Sequence, residues 1–412
     1  MELSNQTAGG VATEPSQPLL ADAHKSAAIR FIFMAIMAVS MGQTVVFAIL
    51  APLGREVGLV ELQIGAIITC SSIMFSLCSP VWGRVSDRWG RKAVMLIGLL
   101  GYTVGTLIFA SVFVAGFQGW LVGGSLFLCL VVARVLQSVV MSATSPAATA
   151  YISDITSFAE RTASLGKIGA AHNVGTIMGP AIAALAFLGL LMPLFAAAAF
   201  TLVAAVLIFL KLPSLPPQAL HGEKKHRLSY FDRRIFPFML IGVSMFTGFA
   251  IVQQTLGYYV QDVLDLSAEY TMQRVGAIMM ASAIASLFSQ WVLVQRLKWL
   301  PTRLMRLGLC SMFVGFAGLV FSHDFWHFMV GMSFVGLGMG MAAPGFIAAA
   351  SMAVEPKEQG AVAGLTSAGP ALGFIVGPTM GAALYQISNH LPYSVTTVLF
   401  IPLILFALFK LK

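Results

Sequence analysis

Long apolar runs, each about the length of a membrane-crossing helix, alternate with short polar breaks along this chain. Read as helices they number twelve, at roughly 30–53, 63–83, 93–115, 119–150, 165–187, 193–211, 235–260, 272–295, 303–321, 325–350, 360–386 and 392–410. Strands are much shorter than these runs. The pattern predicts an all-α membrane protein with twelve transmembrane helices. The polar breaks then set its orientation. With both chain ends on the same side, all but three of the 24 Lys and Arg fall on that side, the exceptions being Arg55, Arg274 and Arg134. Cations are retained on the cytoplasmic side of a membrane, so both termini are expected in the cytoplasm.

Composition agrees with the pattern: 58% of residues are hydrophobic, 10% are charged and the mean hydropathy is +0.88, where a soluble domain carries about a quarter charged residues. The formal charge of +8 is a topology signal, and no nucleic-acid partner is expected. Residues 1–29 hold Ser, Gln, Thr, Gly and Pro with no basic region before an apolar core, so they read as a disordered cytoplasmic tail and not as a secretory signal. The longest interior hydrophilic stretch, within 212–234, is expected to be a cytoplasmic linker between bundles at 30–211 and 235–412. The two halves align at a constant offset of 198 residues, which pairs Pro146 with Pro344, Gly175 with Gly373, Gly179 with Gly377 and Pro180 with Pro378. Such a repeat predicts two six-helix bundles related by a pseudo-two-fold axis along the membrane normal. The four cysteines, Cys70, Cys78, Cys129 and Cys310, lie inside apolar runs without metal-ligand spacing, so no metal site is expected.

Between the second and third runs lies Gly83-Arg84-Val85-Ser86-Asp87-Arg88-Trp89-Gly90-Arg91-Lys92, in which five of ten residues are charged. Such a segment belongs at a water-facing surface as a charged loop joining two spans. Gly83, Asp87, Arg88, Gly90, Arg91 and Lys92 resemble the signature loop of the major facilitator superfamily of transporters, with Val85 in place of the usual leucine. The resemblance implies a gating role. The acid would sit against a helix N-terminus of the other half, and the arginine would pair with a carboxylate ending the fourth span, here Asp154. The fifth run carries Gly175, Gly179 and Pro180, which resemble the antiporter motif of the family's drug:proton exporters, with Ala183 and Ala184 where glycines are commoner. The eleventh run repeats it as Gly373, Gly377 and Pro378. Small residues four apart also allow close packing, expected at the interface between the halves. What the resemblance adds is direction, export rather than uptake.

Arg134, Gln137 and Ser138 in the fourth run are similar to the family's Arg-x-x-Gln-Gly element, in which the arginine is implicated in proton transfer or substrate coupling. A cation this deep is either functional or bonded to backbone carbonyls of a neighbouring helix. Its repeat position is Met332, so only one half carries the charge. None of the sixteen acids falls in the middle of a span. The first run offers Gln43 and Thr44, and the seventh offers Gln253, Gln254, Tyr258 and Tyr259. If these groups and Arg134 line one cavity, its field is positive and suits neutral, zwitterionic or anionic ligands. Two groups could titrate along the pathway: His172 in the fifth run, and Asp262 at the outer end of the seventh.

The resemblance implies export of small amphipathic molecules in exchange for protons by alternating access, a multidrug-type efflux. Arg134 and the missing acids favour instead a dedicated exporter of a polar or anionic metabolite such as a carboxylate siderophore, and an uncoupled facilitator is the third reading. The sequence holds no nucleotide-binding glycine loop with lysine and no grouped nucleophile and base, so neither an enzyme nor a bound cofactor is expected. The proton gradient would supply the energy. The expected partners are a small-molecule substrate and the lipid bilayer. A monomer in a bacterial inner membrane is the expected setting.

Overall fold

The computed structural model describes residues 22–156, 158–215, 229, 232–297, 299–355 and 358–410. Thirteen α-helices run through them: α1 (Asp22–Glu56), α2 (Glu61–Trp89), α3 (Arg91–Phe117), α4 (Gly123–Met141), α5 (Thr144–Ile155), α6 (Phe158–Ala183), α7 (Met192–Lys211), α8 (Phe236–Leu264), α9 (Ala268–Ser289), α10 (Pro301–Val320), α11 (Phe325–Met352), α12 (Gln359–Ile387) and α13 (Leu391–Lys410). A 3-10 turn, Ala184–Leu188, continues α6, and a π-helical stretch, Gln290–Arg296, continues α9. With α4 and α5 forming one span, twelve helices are long and apolar enough to cross a membrane, and no strand occurs among the described residues. The face holding Asp22, Gly90 and Lys410 is hereafter the terminal face, and the opposite one the far face.

Local chemistry accounts for the helix ends. α7, α8 and α10 begin with Pro193, Pro237 and Pro301 in their first turn, where a missing N–H removes no helical bond. Asp324 caps α11, its Oδ1 accepting from the His327 N–H at 2.9 Å. Two boundaries differ from the sequence reading. The charged segment 83–92 is not a loop: α2 continues to Trp89, and Gly90 alone, at φ +88°, stands outside a helix before α3. Only a residue without a Cβ turns the chain so abruptly at low cost. The fourth span is broken after Met141 and resumes at Thr144, because Pro146 has no N–H to offer the Ser142 carbonyl. Pro344, its repeat partner, stays inside an uninterrupted α11.

The expected tail and linker lie largely outside the described residues, which exclude 1–21 and, of 212–234, residues 216–228, 230 and 231. The remainder of the tail expectation is corrected, because α1 already begins at Asp22. Lys25 there pairs with Glu160 of α6.

The apolar core has two parts. One cluster joins the far-face half of the first bundle to the second bundle, through buried residues such as Leu53, Ile64, Ile182, Leu256 and Tyr258. The other, built around Ile32, Leu99, Tyr151 and Ile208, lies at the terminal end of the first bundle alone. The bundles therefore share a core on one side of the membrane only. Glycines set the distances. A Cβ on Gly65 of α2 would come 2.8 Å from the Pro378 carbonyl oxygen of α12, and one on Gly276 of α9 would come 2.5 Å from that of Pro180 in α6. These two contacts between bundles repeat each other, since Pro180 and Pro378 are repeat partners.

The motif glycines do something else. Gly175 and Gly179 meet the backbone of α1 at Met37 and Met41, and Gly373 and Gly377 meet α8 at Phe246 and Thr247. Their packing lies within each bundle, not between the halves as expected, because the two glycines stand one turn apart on a face about 100° around the helix from the proline, and that face meets α1 or α8. A methyl on Gly179 would stand 2.5 Å from the Met41 carbonyl oxygen. Gly179→Ala should destabilise the protein by about 1–3 kcal/mol, lowering its thermal midpoint in detergent, whereas Gly169→Ala, inside α6 with nothing within 4 Å, should not lower the midpoint.

Candidate functional site

Between the bundles lies a cavity of about 620 Å³, walled by α1, α2, α4 and α6 of the first and by α8, α9, α11 and α12 of the second. At the far end it is floored by the shared core. Toward the terminal face it is lined by Ser76, Gln290, Ile347 and Pro370, and beyond them Gly166, Gly169 and Gly364 have no neighbour within 4 Å of a would-be Cβ. The cavity thus opens toward the terminal face.

Its wall is mixed. Phe47, Phe75, Phe246, Phe249 and Phe374 supply aromatic surface, with the Phe47 and Phe374 rings meeting across the bundles at 5.4 Å. Hydroxyls and amides supply adaptable hydrogen bonding, among them Ser40, Gln43, Ser282 and Gln253. No carboxylate lines it among the described residues, whereas Arg134 and His172 do. Arg134 is 4% exposed. Its Nη1 donates to Gln137 Oε1 at 2.5 Å, and Gln137 Nε2 in turn donates to the Thr106 hydroxyl at 2.6 Å. The guanidinium also lies 5.9 Å from the Phe109 ring centre. The Tyr102 hydroxyl and the Arg134 guanidinium are buried against each other as partners, and Gln253 Oε1 is buried at the opposite wall. His172 faces the cavity, with Nδ1 2.7 Å from the Ser40 hydroxyl.

Arg134, Gln43, Gln253 and His172 are therefore brought together at one cavity, with Gln137 as the support of Arg134. Gln254, Tyr258 and Asp262 are not. Gln254 donates to the Tyr258 hydroxyl at 3.3 Å, and both are buried beyond the cavity floor. One helical turn separates Gln254 from Tyr258 and another Tyr258 from Asp262, so the three climb one face of α8 toward the far side, away from Gln253.

On the terminal face, Arg91 joins three groups: it pairs with Asp87, and donates to Asp154 Oδ2 at 3.0 Å and to the Ser86 hydroxyl at 2.7 Å. The arginine bridges the end of α2 to the end of α5. Lys92 donates to the Phe209 carbonyl of α7 at 2.8 Å, and Arg88 is exposed. A would-be Cβ on Gly83 is 3.7 Å from Pro146, so α2 and α5 run close there. All of these contacts stay inside the first bundle. Glu358, at the start of α12, accepts from Arg234 at 2.9 and 3.1 Å within the second bundle. It does not meet the Asp87 cluster in this conformation.

Sequence reasoning missed the polar contacts between bundles. Arg55 of α1 reaches Asp262 of α8, Thr69 of α2 bonds Thr379 of α12 at 2.7 Å, and Asn173 of α6 donates to Gln290 at 2.9 Å. One signal was present: Arg55 and Asp262 stand near the ends of repeat-equivalent spans with opposite charge.

Known proteins place this arrangement. The chain matches the family described as Major Facilitator Superfamily over residues 32–321 and 298–412. It is 28% identical to Multidrug resistance protein 1 of Bacillus subtilis over 366 residues, covering 87% of this chain and 90% of that protein. It is 23% identical to the quinolone resistance protein NorA of Staphylococcus aureus over 373 residues, covering 88% and 90%. Among solved structures, a bacterial homologue of the human lysosomal transporter Spinster, in an inward-facing and unoccupied conformation, superposes with a TM-score of 0.73 at 12% identity, covering 94% of this chain and 97% of its own. The nucleoside transporter NupG superposes at 0.72 with 14% identity, covering 94% and 100%. The two bundles, the cavity between them and these matches make one assignment: the chain belongs to the Major Facilitator Superfamily, as a twelve-helix integral membrane transporter.

Proposed function

We propose that the protein exports small amphipathic molecules from the cytoplasm in exchange for protons, by alternating access of the cavity to the two faces. The observation that carries this reading is the one-sided cavity, open at the terminal face and floored by a core that both bundles share. With the cations concentrated at the terminal face, that face is the cytoplasmic one, and the conformation is inward-open. The curated relatives are named for resistance to drugs and are bacterial, which supports efflux from a bacterial cytoplasmic membrane. A large, aromatic and hydroxyl-rich wall suits chemically varied guests. The reading needs no bound cofactor, and one chain encloses its own site, so a monomer suffices.

In this scheme the Asp87, Arg91 and Asp154 cluster meets the second bundle when the terminal face closes. His172, bonded to Ser40 and facing the cavity, is the group there best suited to exchange a proton. A second reading, export of one anionic or polar metabolite, is favoured by the lining itself, in which Arg134 stands without a lining carboxylate among the described residues.

Everted membrane vesicles acidified inside, with a fluorescent report of the pH gradient, test both. Several unrelated amphipathic compounds should each dissipate the gradient. Dissipation by polycarboxylates alone, lost in Arg134→Ala at equal protein abundance, would replace the first reading with the second. No response to either panel would contradict proton exchange. Asp87→Asn should reduce exchange by at least about tenfold, a barrier increase near 1.4 kcal/mol, while the protein remains folded in detergent; full activity would remove the cluster from the gate.

A further inference from the structure

The first bundle turns between its second and third spans with its arginine neutralised, since Arg91 pairs with both Asp87 and Asp154. The second bundle makes the equivalent turn, from the end of α9 through residues 297–300 into α10, without an acid. Between Glu269 and Asp324 the chain holds no Asp or Glu, whereas Arg296, Lys298, Arg303 and Arg306 all fall around this turn. The repeat position of Asp154 is Met352. The ion pairs of the terminal face join Lys25 to Glu160, Arg91 to Asp87 and Asp154, and Arg234 to Asp232 and Glu358, and leave Arg296 and Arg303 out. Arg306 is engaged otherwise, its Nε donating to the Ala407 carbonyl of α13 at 3.0 Å.

Arg296 and Arg303 are exposed, and each is stacked on a tryptophan. The Arg296 guanidinium lies 4.4 Å from the centre of the Trp291 ring, and that of Arg303 lies 4.6 Å from the centre of Trp299. The first stack is a product of the π-helical stretch Gln290–Arg296, where the Leu297 N–H reaches back five residues to the Val292 carbonyl at 3.0 Å. The same five-residue repeat brings Arg296 over Trp291, whereas in an α-helix residues five apart stand about 140° around the axis from one another. A ring takes one face of a guanidinium and leaves its N–H edge available. Stacking also fixes a long side chain in advance, which lowers the entropy cost of binding through it. Around the two cations Trp291, Leu297 and Leu300 expose apolar surface. Fixed cations beside exposed apolar side chains, at the ends of two spans, match the level where lipid headgroups meet acyl chains. A soluble anion would satisfy the arginines and leave the apolar surface bare; a lipid covers both.

We propose that the α9–α10 turn binds an anionic phospholipid, with Arg296 and Arg303 donating to the headgroup phosphate and Trp291, Leu297 and Leu300 against its upper acyl chains. The lipid gives the second bundle the anion that Asp87 and Asp154 give the first. A zwitterionic headgroup fits less well, because its own ammonium accompanies the phosphate toward two cations. The site lies outside the cavity and depends neither on what the protein exports nor on proton exchange.

Photolabelling tests the site, with the full chain in phosphatidylcholine nanodiscs that hold a minor share of probe. The probe is phosphatidylglycerol or phosphatidylcholine with a diazirine near the headgroup, and labelled positions are mapped by mass spectrometry. In the wild-type protein, labelling across 291–303 should be several-fold stronger with phosphatidylglycerol. Arg296→Gln combined with Arg303→Gln should abolish that preference and leave labelling elsewhere unchanged. Trp291→Leu keeps the apolar surface, frees Arg296 from its ring and should weaken the preference. Lys211→Gln combined with Arg233→Gln removes two other exposed cations of the same face and should keep it. Equal labelling by the two probes in the wild-type protein would overturn the proposal. So would an equal loss of preference in the two double variants, which would mean diffuse attraction to a positive face and no site at this turn.

Discussion

The structure depends on one constraint: two apolar bundles must touch closely enough to exclude water on one side of the membrane and stay apart on the other. In lipid no hydrophobic drive pulls helices together, so contact relies on close backbone approach and a few polar bonds. The chain meets this with glycine at each crossing. Gly65 receives the Pro378 carbonyl, Gly276 receives that of Pro180, and Gly257 lies against Ala51. A side chain at any of these places would hold the bundles apart. Near the floor, the Thr69–Thr379 bond and the Arg55–Asp262 pair add contacts between the bundles, which the proposed alternating access requires to break and re-form.

The cavity follows from that seal. Once the far side is closed, α6 and α12 stand clear of neighbours at Gly166, Gly169 and Gly364 toward the terminal face, and the space is walled by whatever the inner faces of the helices carry. Those faces carry phenylalanines, hydroxyls and amides, with the deep Arg134 held in place by Gln137, which Thr106 supports in turn. Gly42 makes room for the neighbouring ring, since a Cβ there would collide with the Tyr102 hydroxyl. The terminal-face cluster around Arg91 draws its contacts from the first bundle alone in this conformation.

Much of this was legible in the sequence, for identifiable reasons. Span number and the two-bundle plan follow from hydropathy and from four positions at one offset, signals that need no tertiary knowledge. The pairing of Arg91 with Asp154 was legible through the resemblance of its motif. What escaped were features decided by neighbours distant in the chain. Arg55 reads as an isolated loop charge because its partner lies 207 residues away. Gln254 and Tyr258 read as cavity residues because they share a span with Gln253, yet the turn of α8 carries them beyond the floor. The glycines of the fifth span read as an interface between halves, whereas it is the proline carbonyl beside them that faces the other bundle. The segment at 83–92 reads as a loop from its charge, and a single glycine proves sufficient for the turn.

The central claim is that the bundles must separate at the far side for each cycle of exchange. A disulfide between Thr69→Cys and Thr379→Cys tests it most directly, because these hydroxyls already touch between bundles at the cavity floor, and the native cysteines can be replaced. With the bond formed in everted vesicles, dissipation of the pH gradient should stop and return on reduction. Undiminished exchange by the oxidised protein would mean that the far side need not open there, and would contradict the account.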